Sequence, residues 1–221
     1  MFLSFVNKYY DKSYFTSNKT SEKKLIIIDP GHGLPDNGTV SDKGTKEAEL
    51  NMKIALILQK QLKKKGFKVI LTRNNEYSLS NSKTNNKRDD LKKRIEIINR
   101  SNADAVISIH MNYFPDARYS GAQVFYNPVK EDNKYLAAAI QKNIKKFADT
   151  SNKRNEKQDT KIYLLKYSTP ACVLVECGFL SNNDEERKLN TYEYQEKICK
   201  SITKGVTEFF KTRTNLTENS L

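Results

Sequence analysis

The sequence predicts a single α/β domain whose twisted sheet has about six mostly parallel strands, with helices on both faces. Short apolar runs alternate with amphipathic segments of about 10 to 20 residues, which is the pattern of strands joined by helical crossovers. The first run, LIII at 25–28, is followed by Asp-Pro-Gly, which is typical of a strand buried on both faces. At 221 residues the chain is long enough to bury a core without disulfides or a structural metal.

The first half of the chain predicts three strands and two helices. Strand 24–29 is followed by a loop rich in Gly and Asp and by a helix at 45–65, which ends before Gly66. FKVILT at 67–72 predicts the second strand, and the polar residues 74–90 predict a long loop. A helix at 90–101 then leads into the third strand at 103–110.

The second half predicts the remaining strands and two more helices. Residues 121–126 alternate like a strand, 134–148 form an amphipathic helix, and 149–159 form a polar linker. Further elements are short strands at 161–165 and 171–176 and a closing helix at 192–211. We expect residues 24–211 to be the folded domain, between a disordered arm at 1–23 and a disordered tail at 212–221.

The chain is strongly basic, with a net charge of +13 and a pI near 9.5. This charge favours a polyanionic partner such as nucleic acid, an anionic membrane or an anionic cell-wall polymer. No RNA-binding aromatic pattern, zinc-finger spacing or recognition helix accompanies the lysines, so we expect no nucleic-acid partner. The apolar start at residues 1–6 is too short for a secretory signal or a membrane span, and neither is expected in this sequence.

The two histidines of the chain occupy equivalent places. His32 follows the first strand and His110 ends the third, so both lie at the carboxyl ends of inner strands, where α/β sheets bind ligands. Glu47 lies within roughly 20° of the apolar stripe of the 45–65 helix, whereas Glu49 faces solvent. Two imidazoles and an inward carboxylate are a typical donor set for zinc. The alternative for His32 alone is a turn histidine bonded to the backbone.

A second carboxylate, Glu176, directly follows the apolar run VLV at 173–175. Such a residue is unusual in a purely structural strand. We interpret it as a general base that takes a proton from an attacking water beside the zinc and passes it to a leaving nitrogen. The alternative is a salt bridge to one of the many lysines.

These residues lie within motifs that resemble the zinc-dependent N-acetylmuramoyl-L-alanine amidases of the amidase-3 type. The motifs run in family order over residues 25–211: IDPGHG at 28–33, EAELN at 47–51, LTR at 71–73, LxxR at 91–94, SIHMN at 108–112 and VECGFLSN at 175–182. The resemblance implies one zinc ion per chain on His32, Glu47 and His110, with Glu176 as the catalytic residue. The sequence departs from the family pattern at Leu34, Met111 and Cys177, which puts the shape of the pocket in question more than the chemistry.

The resemblance also implies a substrate and a location. The expected reaction is cleavage of the peptidoglycan amide between N-acetylmuramic acid and the first L-alanine of the stem peptide, by the catalytic domain 24–211. The family acts outside the cytoplasmic membrane, in the cell wall or the forespore intermembrane space, so the arm 1–23 is interpreted as the remnant of an export leader. The absence of wall-binding repeats is similar to the minimal, germination-specific spore-cortex type, and leaves room for a localising or activating partner protein.

Arg94, from the LxxR motif, is a candidate to bind a peptide carboxylate of the substrate, with an ion pair inside the fold as the alternative.

Two other function classes stay open from the sequence alone. One is a non-catalytic peptidoglycan-binding protein with a structural or empty metal site. The other is a nucleic-acid-binding protein, which only the charge suggests.

Overall fold

The computed structural model describes residues 23–80 and 86–218, which form one six-stranded sheet with helices packed on both faces. The strands are β1 (Leu25–Pro30), β2 (Lys68–Leu71), β3 (Ala105–Asn112), β4 (Gln123–Tyr126), β5 (Lys157–Gln158) and β6 (Ala171–Phe179). The helices are α1 (Glu47–Lys64), α2 (Lys87–Arg100), α3 (Glu131–Asn143), α4 (Tyr163–Tyr167), α5 (Asn183–Leu189) and α6 (Tyr192–Glu218). A short π-helical segment, Ile144–Ala148, continues α3.

The strand order is β2-β1-β3-β6-β4-β5. The first four strands in this order run parallel, β4 pairs antiparallel with β6, and β5 pairs parallel with β4. The predicted fold class is therefore confirmed. Because β2 and β3 lie on opposite sides of β1, the crossover helices α1 and α2 pack on opposite faces, and a ligand-binding crevice is expected between the carboxyl ends of β1 and β3.

The core consists of two clusters of apolar side chains, one on each face of the sheet. Alternate residues of a strand point to opposite faces, so Ile26 and Ile28 join the larger cluster while Ile27 joins the smaller one. The larger cluster is covered by α1, α3 and α6, and the smaller one by α2 and α4. Burying each large apolar side chain contributes about 1.5–3 kcal/mol, so this sheet is a rigid base for whatever lies at its edge.

The short strand expected at 161–165 is wrong, because this segment leads into the one-turn helix α4. The side chain of Asp159 accepts hydrogen bonds from the backbone N–H groups of Lys161 (2.6 Å) and Ile162 (3.0 Å), which turns the chain into the helix. Leu164 and Leu165 of α4 are then buried in the smaller cluster. A short apolar run is compatible with either a strand or a buried helix turn, and the turn chemistry before it decides.

Other predicted boundaries also needed correction. Helix α2 begins at Lys87 rather than 90, because Asn86 caps it by accepting from the N–H of Asp89 at 3.0 Å, and the expected loop 74–90 is therefore shorter. Strand β5 lies in the expected linker, and α5 was not predicted. The closing helix continues to Glu218, where a tail was expected from 212.

Residues 1–22, 81–85 and 219–221 lie outside the described part of the chain, and so does nearly all of the expected arm. Of the helices in the described ranges, none combines the length and apolar character that a membrane crossing requires.

Candidate metal centre

The two histidines meet at the crevice between β1 and β3, as the sequence predicted. His32 lies in the turn after β1 and His110 near the end of β3, and their ring centroids are 5.0 Å apart at an interplanar angle of 77°. Gly31 directly follows β1 and donates its N–H to the carbonyl oxygen of Ile109 in β3 at 3.0 Å. A Cβ atom on Gly31 would lie 2.2 Å from Cε1 of His110, so only glycine leaves room for the imidazole.

Glu47 completes the group from the first turn of α1. Its side chain is 4% exposed, and Oε1 lies 2.9 Å from Nδ1 of His110 and 3.2 Å from Nε2 of His32. The other carboxylate oxygen, Oε2, accepts a hydrogen bond of 2.9 Å from the backbone N–H of Thr39. The predicted inward orientation of Glu47 is what the structure shows, whereas Glu49 is exposed and pairs with Lys46.

The two imidazoles shift the pKa of Glu47 toward its charged form, and Glu47 does the same for the pKa of His32. Burial by itself raises the pKa of Glu47, but the hydrogen bonds and charges of His110 and His32 outweigh it and hold that pKa far below its ordinary value. Burial lowers the pKa of His32, and the hydrogen bonds and charges of Glu47 and Asp36 more than reverse this, so that the pKa is raised. The carboxylate is therefore ionised and available as a ligand.

The donor set fits a zinc ion. Nitrogen or oxygen donors from His32, Glu47 and His110 all lie within 4.8 Å of one another, and they form the one such group found in the described residues. Neighbouring donors around a tetrahedral zinc are about 3.3 Å apart, given bond lengths of about 2.0–2.1 Å. Two imidazoles and a carboxylate are also the donors of catalytic zinc sites that keep a fourth position open.

Asp36 contacts the ring nitrogen of His32 that faces away from Glu47. The sequence did not identify this residue. Its Oδ2 lies 2.7 Å from Nδ1 of His32, which leaves Nε2 facing Glu47. A carboxylate on the second ring nitrogen fixes the tautomer and orientation of a metal-binding histidine. The signal available in the sequence was an acidic residue four positions after His32 within a loop rich in glycine.

Glu176 lies beside this group without belonging to it. In the β3–β6 ladder it is the register partner of His110, so both side chains lie on the same face of the sheet. Its Oε2 atom is buried and has no hydrogen-bond partner among the described residues. Burial raises the pKa of Glu176 to about 7, and no lysine forms the salt bridge considered from the sequence in the part of the chain that is described.

The backbone of β6 changes its register directly after Glu176. After the His110–Glu176 pair the register shifts, so that Asn112 pairs with Phe179 and β6 contains one extra residue. Such a bulge bends a strand and redirects its side chains, and bulges are common beside active sites. Gly178, within the bulge, has φ +156°, a conformation that suits glycine.

The predicted binding of a peptide carboxylate by Arg94 stays a prediction, while the structure shows its guanidinium in contacts inside the fold. Its side chain is 2% exposed, and its guanidinium donates to Asp90 at 2.6 Å and to Asp29 at 2.7 Å. The charges of both carboxylates raise the pKa of Arg94 against the opposing effect of burial. Arg94 therefore forms an ion pair inside the fold, which was the alternative interpretation.

A cavity of about 220 Å³ opens beside the histidines, on the face of the sheet covered by α2 and α4. Leu91, Ile162, Leu164 and Leu174 supply its apolar wall, and Lys87 lies at its polar side with Asp36. A small apolar pocket next to convergent polar groups is the usual form of a ligand site.

Comparison with known proteins places this geometry in a family. A family model described as N-acetylmuramoyl-L-alanine amidase matches residues 26–208. The germination-specific N-acetylmuramoyl-L-alanine amidase of Bacillus subtilis (strain 168) is 36% identical over 191 residues, which cover 85% of this chain and 80% of that protein.

Two solved structures show the same architecture. The CwlD amidase of Clostridioides difficile, in complex with the GerS lipoprotein, has a TM-score of 0.83 and 40% identity, covering 86% of this chain and 100% of that one. An N-acetylmuramoyl-L-alanine amidase from Clostridium difficile 630 has a TM-score of 0.77 and 30% identity, covering 86% and 98%. Since the family match includes all four residues of the site, the chain belongs to the N-acetylmuramoyl-L-alanine amidase family of the amidase-3 type.

Proposed function

We propose that this protein is a zinc-dependent peptidoglycan hydrolase that cleaves the amide between N-acetylmuramic acid and the L-alanine of the stem peptide, in the spore cortex. The observation that carries this proposal is the convergence of His32, Glu47 and His110 beside Glu176, whose carboxylate has an unpartnered buried oxygen. Burying a carboxylate without a partner costs free energy. A purely structural metal site has no use for Glu176 that would offset this cost, whereas a catalytic site uses it as a base.

In the proposed mechanism the protein supplies the ligands, the base and the proton path. Zinc bound by the three ligands would act as a Lewis acid on the substrate carbonyl and would lower the pKa of water. Glu176 accepts the proton of the attacking water as its oxygen adds to the carbonyl carbon. The protonated Glu176 then gives this proton to the alanine nitrogen as the C–N bond breaks, leaving a lactyl carboxylic acid and a free amine. The remaining water proton passes from the carboxylic acid to the amine, so the final products are a carboxylate and an ammonium group.

The environment of Glu176 suits both steps. Burial raises its pKa to about 7, so near neutral pH the carboxyl group can both take and release a proton. Asp36 keeps Nε2 of His32 directed at Glu47 during the cycle.

The proposed location is outside the cytoplasmic membrane, with peptidoglycan as the macromolecular partner. The net charge of +13 favours association with an anionic wall polymer. The relative in Bacillus subtilis is germination-specific, and the relative in Clostridioides difficile was solved with a lipoprotein, which supports a cortex role and a localising or activating protein partner for this chain.

The test is digestion of purified peptidoglycan with and without added zinc, followed by chemical identification of the new ends. New amino-terminal L-alanine is the expected product, whereas new reducing sugar would indicate a glycosidase and no product a binding protein. Glu176→Gln should lower the rate of product release about 100- to 10,000-fold. Glu49→Gln is the matched control, because Glu49 lies on the exposed face of the same helix as Glu47 and should leave activity unchanged. Full activity of Glu176→Gln would overturn the mechanism.

A further inference from the structure

Two buried arginines hold three consecutive carbonyl groups at the end of β1. Arg73 donates from Nε to the carbonyl oxygen of Pro30 at 2.9 Å and from Nη2 to that of Gly31 at 3.0 Å. Arg94 donates from Nη1 to the same Pro30 oxygen at 2.7 Å and from Nη2 to the carbonyl oxygen of His32. Both side chains are almost fully buried, and their residues are 3% and 1% exposed.

The segment that they hold has an unfavourable backbone conformation. His32 has φ +59°, in the left-handed region that residues with a Cβ rarely adopt. Such a conformation persists only where the surrounding contacts determine it. The carbonyl directions of residues 30–32 define this turn, and a planar guanidinium can bind several of them at once. The turn in its observed form is what directs the imidazole of His32 toward Glu47.

Arg73 also connects this turn to the helix that carries Glu47. Its Nη2 donates to the carbonyl oxygen of Ala48, the residue after Glu47, at 3.1 Å. One guanidinium nitrogen therefore bonds the turn of His32 and the first turn of α1 together. No carboxylate pairs with Arg73 among the described residues, so its contacts at this place are with backbone oxygens.

Arg94 anchors the same turn to the sheet and to α2. It lies between Asp29 of β1 and Asp90 of α2. Asp29 in turn accepts from the hydroxyl groups of Thr72, at 2.5 Å, and Ser108, at 2.8 Å, so that β1, β3 and the residue after β2 meet at this carboxylate. The anchor of the His32 turn is therefore fixed from several sides.

We propose that Arg73 and Arg94 are positioning residues, which hold His32 at the correct distance from Glu47 and so set the affinity of the zinc site. This inference rests on the zinc site of the proposed function. Neither arginine touches substrate in this role, because each acts on His32 through the backbone. Arg73 ends the LTR motif and Arg94 ends the LxxR motif, and the proposed mechanism uses neither motif. This inference assigns both motifs the role of positioning His32.

The test is zinc affinity of the full-length protein, measured by competition with a chromophoric chelator, in Arg73→Lys and Arg94→Lys. Lysine keeps the charge but has one nitrogen in place of the guanidinium fork. The zinc Kd should rise about 10- to 100-fold, the usual effect of losing a residue that orients a ligand. The absorption spectrum of the cobalt-substituted protein should change as well, and at saturating zinc kcat should fall with KM unchanged.

Asn133→Ala is the matched control for a purely structural effect. Asn133 is buried and bonds the backbone of Asn127 and Cys172 at 2.9 Å, on elements that do not carry the ligands. It should lower the thermal stability while the zinc Kd and the cobalt spectrum stay as in the wild type.

The outcomes separate this inference from the proposed function. If the wild type binds zinc and both lysine variants bind it equally well with an unchanged cobalt spectrum, the positioning role is refuted and the zinc site stands. If the wild type itself binds no zinc, the zinc site of the proposed function fails and this inference fails with it. If Arg94→Lys does not fold, Arg73→Lys decides, because its substitution leaves no carboxylate unpaired.

Discussion

Replacing Glu176 by glutamine should make the metal-free protein more stable at neutral pH while it removes activity. The carboxyl group has a pKa raised from 4.5 to about 7 by burial, so the folded protein retains a proton that the unfolded chain releases between these values. The protonated, neutral carboxyl group stabilises the folded protein relative to an ionised one. This contribution is complete below pH 4.5 and is lost as the pH rises to 7. Glutamine is neutral at every pH and avoids this loss.

The size of the effect follows from the pKa values. One pKa unit corresponds to about 1.4 kcal/mol, so the ionised carboxylate costs the folded state up to about 3 kcal/mol above pH 7. Glu176→Gln should therefore raise the free energy of unfolding by up to about 3 kcal/mol at pH 8 and by almost nothing at pH 4.5. The loss of a general base should at the same time lower kcat about 100- to 10,000-fold.

The assay is urea unfolding of chelator-treated wild type and variant at pH 4.5, 6, 7 and 8, about the range over which the carboxyl group titrates. The other ionisable groups are common to both proteins, so the difference between the two curves isolates Glu176. Zinc loading should reduce the difference, because a bound cation favours the carboxylate. Equal stability at pH 8, or an advantage that does not shrink toward pH 4.5, would refute the burial argument.

Three further changes test other parts of the centre. Asp36→Asn should raise the zinc Kd about 10- to 100-fold in chelator competition, since His32 loses the carboxylate 2.7 Å from its Nδ1, and an unchanged Kd would contradict this role. Gly31→Ala should abolish amidase activity because its Cβ would lie 2.2 Å from His110. Gly44→Ala has no atom within 4 Å of the new Cβ but has φ +85°, so it should lower the stability and keep the activity; equal activities of the two variants would argue against a steric cause. Zinc at 100 times its Kd should stabilise the chelated protein by about 2.7 kcal/mol in thermal unfolding, and no shift in Tm would indicate that the folded state does not bind zinc.

The positions of the three candidate ligands were predictable because each depends on a strong local pattern. His32 and His110 follow continuous apolar runs that can only be inner strands, and the helical period directs Glu47 inward and Glu49 outward. Parallel strands then bring their carboxyl ends together without any further information.

What the sequence did not predict depends on contacts between distant segments. Arg94 was a candidate to bind substrate because a lone arginine in a motif does not reveal Asp29, which lies 65 residues away in the chain. The role of Asp36 depends on a turn with φ +59° at His32, which no propensity predicts. Helix α4 was mistaken for a strand because five residues are too few for a period to be read.

The centre also joins the two halves of the core. Glu47 begins α1, which packs on the larger apolar cluster, whereas Asp29 and Ser108 lie on the face of the smaller one. His110 follows Ser108 by two residues on β3 and lies on that same face, so Glu47 and His110 meet only after both layers have packed on the sheet. A chain in which only one of the two layers has packed would therefore lack at least one donor of the candidate metal centre.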